Sequence, residues 1–276
     1  MNKASLRFLV FLFFISTSFL SAQTGNKESQ NIIQTIGSDI QTAVVDGFHL
    51  LISPAKFSNK DLLLTGGVVL STGAIMPFDE DVRKYARRNH SDFNDKIMDA
   101  GKAYGNVLSP IIIGGSIYSY GLFLKNENVR TTGRMVIESV VYAGAITTVI
   151  KTLFGRSRPF VEDGNHFYKF MQFNNDHTSF PSGHSTIAFA ISSVLSNRIN
   201  NTYASICLYT IAGFTSVSRV YHDDHWASDV FLGSAIGYFV GNFISKNSGI
   251  LYTDKNKKVT LILQPTLSGL NCNLRF

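Results

Sequence analysis

Residues 218–229 read SRVYHDDHWASD and lie between two apolar stretches, Tyr203–Val217 and Val230–Ile244. Two histidines, three aspartates and an arginine in so short a span make either a solvated loop or a site. His225 and Asp229 stand four apart, which places them on one face of a helix. An aspartate at that offset can hold one imidazole nitrogen, fix the tautomer and leave the other nitrogen as a nucleophile. Asp229 also suits the N-cap of a helix that starts at Val230. A metal shell of His222, Asp223, Asp224 and His225 would crowd its ligands onto adjacent residues. No second ligand group is spaced to complete it, so no metal is expected.

Two further polar clusters sit at the ends of apolar runs. In KTLFGRSRP, residues 151–159, Lys151 closes one run and Arg158 follows, held by Pro159, with Gly155 allowing a turn between them. An ammonium and a guanidinium fork grip phosphate oxygens well, and they also serve as the charged flank of a membrane helix. In FPSGHST, residues 180–186, Ser182 can cap a helix and Gly183 lets backbone N–H groups approach a ligand. Those groups and the positive helix end favour an anion, and His184 stands beside them to move a proton.

Outward from these clusters the chain is apolar. Hydrophobic residues make up 45% and charged residues 16% of its 276 positions, the latter below the roughly 25% of ordinary soluble domains. Five apolar segments, Val107–Leu124, Met135–Leu153, Ser185–Leu195, Tyr203–Val217 and Val230–Ile244, approach the length of a bilayer span. Their Gly, Ser and Ala content suits close helix packing. Glu138, inside the second segment, is expected to face other helices as a hydrogen-bonded carboxyl. Ile32, Ile33, Ile36, Ile40, Val44 and Phe48 repeat at helical spacing and predict an amphipathic helix over 32–51. Leu62–Phe78, rich in glycine, reads as a buried or re-entrant helix, and the charged stretch from Asp79 to Gly105 as a solvent-facing one. The tail alternates at Leu270, Cys272, Leu274 and Phe276, which predicts a strand pair turning near Pro265–Gly269.

The net charge is +6, suited to anionic lipid or phosphate, and no Lys/Arg-rich run points to nucleic acid. Cys207 and Cys272 make neither a metal spacing nor a disulfide framework, and Cys207 reads as a buried thiol. The first 22 residues, with Lys3 and Arg7 before an apolar run from Phe8 and small residues near Ala22, form a secretory leader or an uncleaved anchor. The polar residues 23–31 read as a linker.

K-x6-RP at Lys151–Pro159, PSGH at Pro181–His184 and SR-x5-H-x3-D at Ser218–Asp229 occur in that order, with intact internal spacing. Together they resemble the three-part signature of the type 2 phosphatidic acid phosphatase (PAP2) superfamily, which includes class A acid phosphatases and vanadium haloperoxidases. The resemblance covers roughly residues 105–245. It implies an all-α helical bundle embedded in a membrane, here with a short C-terminal strand pair. With the resemblance marking 105–245 as the catalytic core, the chain divides into a leader or anchor at 1–22, an N-terminal helical region at 23–104, that core, and a tail at 246–276. The resemblance leaves the N-terminal region and the tail unexplained.

The resemblance also implies a metal-independent, cofactor-free phosphatase of monoesters or diphosphates, acting on a phosphorylated lipid through a phosphohistidine. His225 would attack phosphorus, Asp229 would orient it and His184 would protonate the leaving oxygen. Lys151, Arg158, Arg219, Ser182 and the Gly183 N–H would hold the phosphoryl oxygens. Arg156, His222, Asp223 and Asp224 fall outside the matched positions and read as solvated loop residues. Three other readings stay open: a secreted acid phosphatase of soluble esters, a vanadate-dependent haloperoxidase, and a non-catalytic membrane interaction protein. The leader and the basic connector Lys125–Arg134 place the site on the periplasmic side of an inner membrane, or in the periplasm if the chain is soluble.

Overall fold

A computed structural model describes residues 32–248, together with the backbone of two strands at 260–266 and 269–275. The leader and the 23–31 stretch lie outside the described residues. Nine α-helices make up most of the described body. α1 spans Ile32–Ile52, α2 Asn59–Ile75, α3 Asp79–Arg88, α4 Asp92–Gly101 and α5 Ser109–Phe123. α6 spans Glu127–Phe154, α7 Gly183–Ile199, α8 Thr202–Tyr221 and α9 Ala227–Asn247. The strands β1, Thr260–Thr266, and β2, Gly269–Arg275, pair antiparallel with Leu263 opposite Cys272.

The helix ends follow from local sequence. The side chains of Asn126, Ser182 and Asn201 accept backbone N–H groups at the starts of α6, α7 and α8, which satisfies donors that a helix leaves unpaired. α6 stops at Gly155, whose φ of +57° is left-handed, a conformation that glycine adopts without steric cost. α7 stops the same way at Asn200.

Glycines at four-residue spacing seat α9 against α7. A Cβ at Gly233, Gly237 or Gly241 would stand 2.4, 2.2 or 2.7 Å from the carbonyl oxygens of Ser182, Thr186 and Ala190. Only a bare backbone allows so close an approach. The core at their junction includes Val136, Ala143, Ala188, Ile191, Val194, Ala212 and Ile244. Because α9 lies so close, the Ser182 N–H donates to the Asp229 carbonyl at 2.9 Å. This contact ties the start of α7 to the start of α9.

The outside is apolar and part of the inside is ionic. On α1 the expected stripe is present but faces outward: Ile32, Ile36, Ile40, Val44 and Phe48 are exposed, while Thr35, Asp39 and Asp46 are buried. Asp39 accepts from Tyr118 Oη at 2.8 Å and pairs with Arg130 at 2.9 Å. Glu138 is buried, as expected, and accepts from Arg134 Nη1 one turn earlier on the same helix at 2.6 Å, while that nitrogen also lies 3.4 Å from Asp46 of α1. Leu62–Phe78 departs from its expected burial. Among the described residues, three stretches are long and apolar enough to cross a membrane, Asn59–Arg88, Glu127–Phe154 and Ala227–Asn247, and only 6% of the apolar window in the first is buried. Cys207 is exposed rather than buried, because it shares the outer face of α8 with Tyr203 and Ile206, while Leu208 turns inward.

A Cβ at Gly155 would lie 1.6 Å from the Lys169 carbonyl oxygen, on a left-handed backbone. Gly155→Ala is therefore expected to lower the thermal unfolding temperature in detergent, by the equivalent of about 1–3 kcal/mol. Gly66→Ala, whose Cβ meets nothing within 4 Å, serves as the control. Equal unfolding temperatures for the two variants would contradict this account of the turn.

Candidate active site

One end of the bundle gathers the C-terminus of α6 with its following loop, the entry to α7, the C-terminus of α8 and the start of α9. Short backbone bonds hold the loops together. Arg158 N–H donates to the Asp176 carbonyl at 2.8 Å, and Ser179 N–H to the Arg156 carbonyl at 3.0 Å.

Three cations reach this end from three separate elements. Lys151 Nζ donates to the carbonyls of Thr178 and Ser179, at 2.5 and 3.2 Å. Arg158 uses Nε and Nη2 on the carbonyl and side chain of Asn175, at 2.8 and 3.0 Å. Arg219 Nη2 pairs with Asp224 at 2.7 Å, and its buried Nε has no hydrogen-bond partner. Asp224 lies between the two guanidinium groups, its other oxygen 3.8 Å from Arg158. A Cβ on Gly183 would meet only Lys151 Cε, at 3.9 Å, so the first turn of α7 is open toward the ammonium. Ser182 is fully buried, and its hydroxyl accepts from Ser185 within the helix cap.

His225 is 2% exposed, in the turn between α8 and α9. Its Nδ1 lies 3.7 Å from Asp229 Oδ2, beyond hydrogen-bond range. The Ser179 hydroxyl stands 3.5 Å from the same nitrogen and donates to Asp229 Oδ2 at 2.5 Å. The Trp226 N–H donates to that oxygen as well, at 2.9 Å. Asp229 thus lies in the first turn of α9, three residues after the cap, and not at the cap itself. With Nδ1 turned toward this pair, Nε2 is the nitrogen left for chemistry.

Electrostatics link the histidines to the cations. Desolvation, with Arg219, Arg158 and Lys151 nearby, pushes His184 down to about 4. Burial holds His225 well below the usual histidine range, and Lys151 and Arg158 add to that effect. Both imidazoles are therefore neutral near pH 7.

The residues read as solvated loop are engaged instead. Arg156 is fully buried and bonds Asp229 Oδ1 at 2.7 Å and Asp79 at 2.7 Å. Asp223, at a φ of +58°, pairs with Arg83 at 3.1 Å and Arg87 at 2.8 Å. His222 Nε2 lies 3.5 Å from Asp99. The charged stretch from Asp79 is likewise only partly solvated. Asp79 and Arg83 are buried, because one face of α3 lies on the loops that follow α6 and α8. Ser179, Arg156 and Asp79 escape a reading of the sequence. The only cue for Ser179 is its place two residues before Pro181, and Arg156 differs from a rim arginine only by a partner 77 positions away.

Comparison with known proteins agrees with the motif arrangement. Residues 133–249 match the model of the PAP2 superfamily. A lipid A 1-phosphatase of Porphyromonas gingivalis is 28% identical over 204 residues, which are 71% of this chain and 41% of that protein. Lipid phosphate phosphatase 1 of Arabidopsis thaliana is 35% identical over 167 residues, half of each chain. The chain spans half or less of the length of these two relatives. The crystal structure of Aquifex aeolicus LpxE superposes with a TM-score of 0.49 at 22% identity, covering 62% of this chain and 95% of that one. The match is confined to residues 133–249, the stretch that holds all three motifs, and this core is of the PAP2 superfamily type.

Proposed function

We propose that the chain is a membrane-embedded phosphatase that hydrolyses phosphate monoesters or diphosphates of lipids through a phosphohistidine. One observation carries this reading. Lys151, Arg158 and Arg219 come from separate elements to the same end of the bundle, beside two histidines whose protonation is disfavoured first by burial and then by nearby cations. Such a constellation suits a phosphoryl group, whose transfer needs positioning and charge stabilisation more than covalent chemistry from the protein. The printed names of the two relatives, a lipid A 1-phosphatase and a lipid phosphate phosphatase, support a lipid substrate. The outward apolar faces of α1 and α2 support a bilayer as surroundings.

In this reading His225 Nε2 attacks phosphorus and the bond from phosphorus to the ester oxygen breaks. His184 gives its proton to that departing oxygen. Water then attacks phosphorus and loses a proton to His184 as the bond from phosphorus to Nε2 breaks, which frees orthophosphate and restores neutral His225. Asp229 and Ser179 stand 3.7 and 3.5 Å from Nδ1, and Asp229 gives the imidazolium formed by phosphorylation its counter-charge. The Lys151, Arg158 and Arg219 side chains and the Gly183 N–H neutralise the equatorial oxygens, and Ser182 shapes the helix start that presents Gly183. His184 needs its proton before it can act, and a bound phosphate dianion supplies the negative charge that draws a proton onto it.

Purified protein in detergent is expected to release orthophosphate from phosphatidate micelles in the presence of EDTA. His225→Ala should lose about 10³-fold or more in kcat, while p-nitrophenyl phosphate should be a poorer substrate than phosphatidate. Undiminished release by His225→Ala would remove the histidine mechanism, and preference for the soluble ester would remove the lipid assignment.

The neutral histidines set a second expectation. Their folded values lie below the unfolded value of about 6.5, so the unfolded chain binds more protons as the pH falls below that value. Stability then rises with pH across that window and is lost on acidification. The unfolding temperature should fall between about pH 7 and about pH 5. Millimolar orthophosphate should stabilise more at the lower pH, and His184→Asn should abolish that extra gain. Equal stabilisation by orthophosphate at both pH values would count against a protonatable His184 in the anion site.

A further inference from the structure

Every nitrogen of the Arg156 guanidinium has a partner. Nη1 donates to Asp229 Oδ1 and to Ser228 Oγ, each at 2.7 Å. Nη2 donates to Asp79 Oδ2 at 2.7 Å, and Nη2 and Nε share the Asn165 carbonyl at 2.6 and 2.9 Å. Asp79 is 1% exposed and accepts the Ser228 N–H at 2.9 Å and the Ser228 hydroxyl at 2.6 Å. The side-chain amide of Asn165 donates to the Met76 carbonyl at 2.8 Å, which closes the ring just before Asp79. The Trp226 ring, next to His225 in sequence, has the Arg83 and Arg156 guanidinium carbons each 5.5 Å from its centroid.

The two oxygens of Asp229 therefore have separate duties. Oδ2 takes the Ser179 hydroxyl and the Trp226 N–H and faces His225 Nδ1, while Oδ1 is committed to Arg156. A carboxylate bound through one oxygen can still turn about its Cβ–Cγ bond. Held at both, it cannot, and the imidazole beside it keeps one orientation. Arg156 is fixed in turn by Asp79, which stands at the start of α3, outside the stretch that carries the three motifs.

We propose that Asp79 and Arg156 are positioning residues for the Asp229–His225 pair, with Asp79 acting through the Arg156 fork to fix the rotation of the Asp229 carboxylate. The inference rests on the phosphohistidine reading, since it assigns the network a task in holding the nucleophile. Neither residue touches substrate. Misplacing a nucleophile by about 1 Å can cost about 10²-fold in rate, so loosening the network should lower kcat and leave substrate binding in place.

The test uses the full chain in detergent with phosphatidate micelles, comparing wild type, Asp79→Asn and Ser228→Ala, with the exposed Lys84→Ala as control. Asp79→Asn should lose about 30-fold or more in kcat with KM within about threefold of wild type. Ser228→Ala, which removes one shared hydroxyl and leaves both ion pairs, should lose about threefold to tenfold in kcat, again with KM unchanged. Lys84→Ala should match wild type in both constants. A kcat for Asp79→Asn within threefold of wild type, or a loss expressed mainly in KM, would overturn the proposal. If Asp79→Asn does not fold, Ser228→Ala decides, and a wild-type kcat in that variant overturns the proposal. Failure of the phosphatase reading would look different, because wild type itself would then release no phosphate or His225→Ala would release as much.

Discussion

A guanidinium cut off from water must be paired on all sides, and Arg156 meets that demand with two carboxylates, a hydroxyl and a carbonyl. Removing one partner from a buried pair of this kind typically costs about 3–5 kcal/mol. The end of the bundle that holds His225 is organised by that constraint. The chain leaving α6 must turn at Gly155 to carry Arg156 inward. α9 must begin close enough to present Ser228 and Asp229. α3 must lie across both to bring Asp79. Lys151, Arg158, Arg219 and both histidines stand on segments that these contacts fix, so the geometry of the site follows from how one charge is buried.

The rest of the molecule obeys a different rule. Its outer surface carries the apolar stripe of α1 and the leucines of α2, and an ionic cluster of Asp39, Asp46, Arg130, Arg134 and Glu138 lies inside, around the first half of α6. Helices in lipid gain little by burying apolar side chains against one another, so small residues and polar contacts hold them together. The glycine ladder of α9 against α7 and the Asp39–Arg130 pair show both devices. One bundle thus has a lipid-like exterior, a polar interior and a cationic end.

The sequence makes the three motif clusters legible because each is local. Lys151 and Arg158, Ser182 to His184, and Arg219 to Asp229 each fall within a dozen positions, and helix ends bring them together. Asn126, Asn201 and Gly155 mark helix boundaries for equally local reasons. Direction was harder to read. Periodicity locates a stripe on α1 but does not say whether it faces protein or lipid, and the same ambiguity misplaces Cys207 and Leu62–Phe78. Arg156 and Asp223 were illegible for another reason. Their partners, Asp79 and Arg83, lie far away in the chain, and a charge in a polar loop looks solvated until its distant partner is known. The role of Asp224 between Arg158 and Arg219 depends on the same long-range closure.

The most direct test of a histidine nucleophile held by this network is to quench a reaction with phosphate-labelled lipid within one turnover and look for label on the protein. A phosphohistidine survives base and is lost in acid, so the predicted result is base-stable, acid-labile label on the peptide that contains His225, absent from His225→Ala. Turnover with no protein-bound label, or label mapped to another residue, would contradict the mechanism.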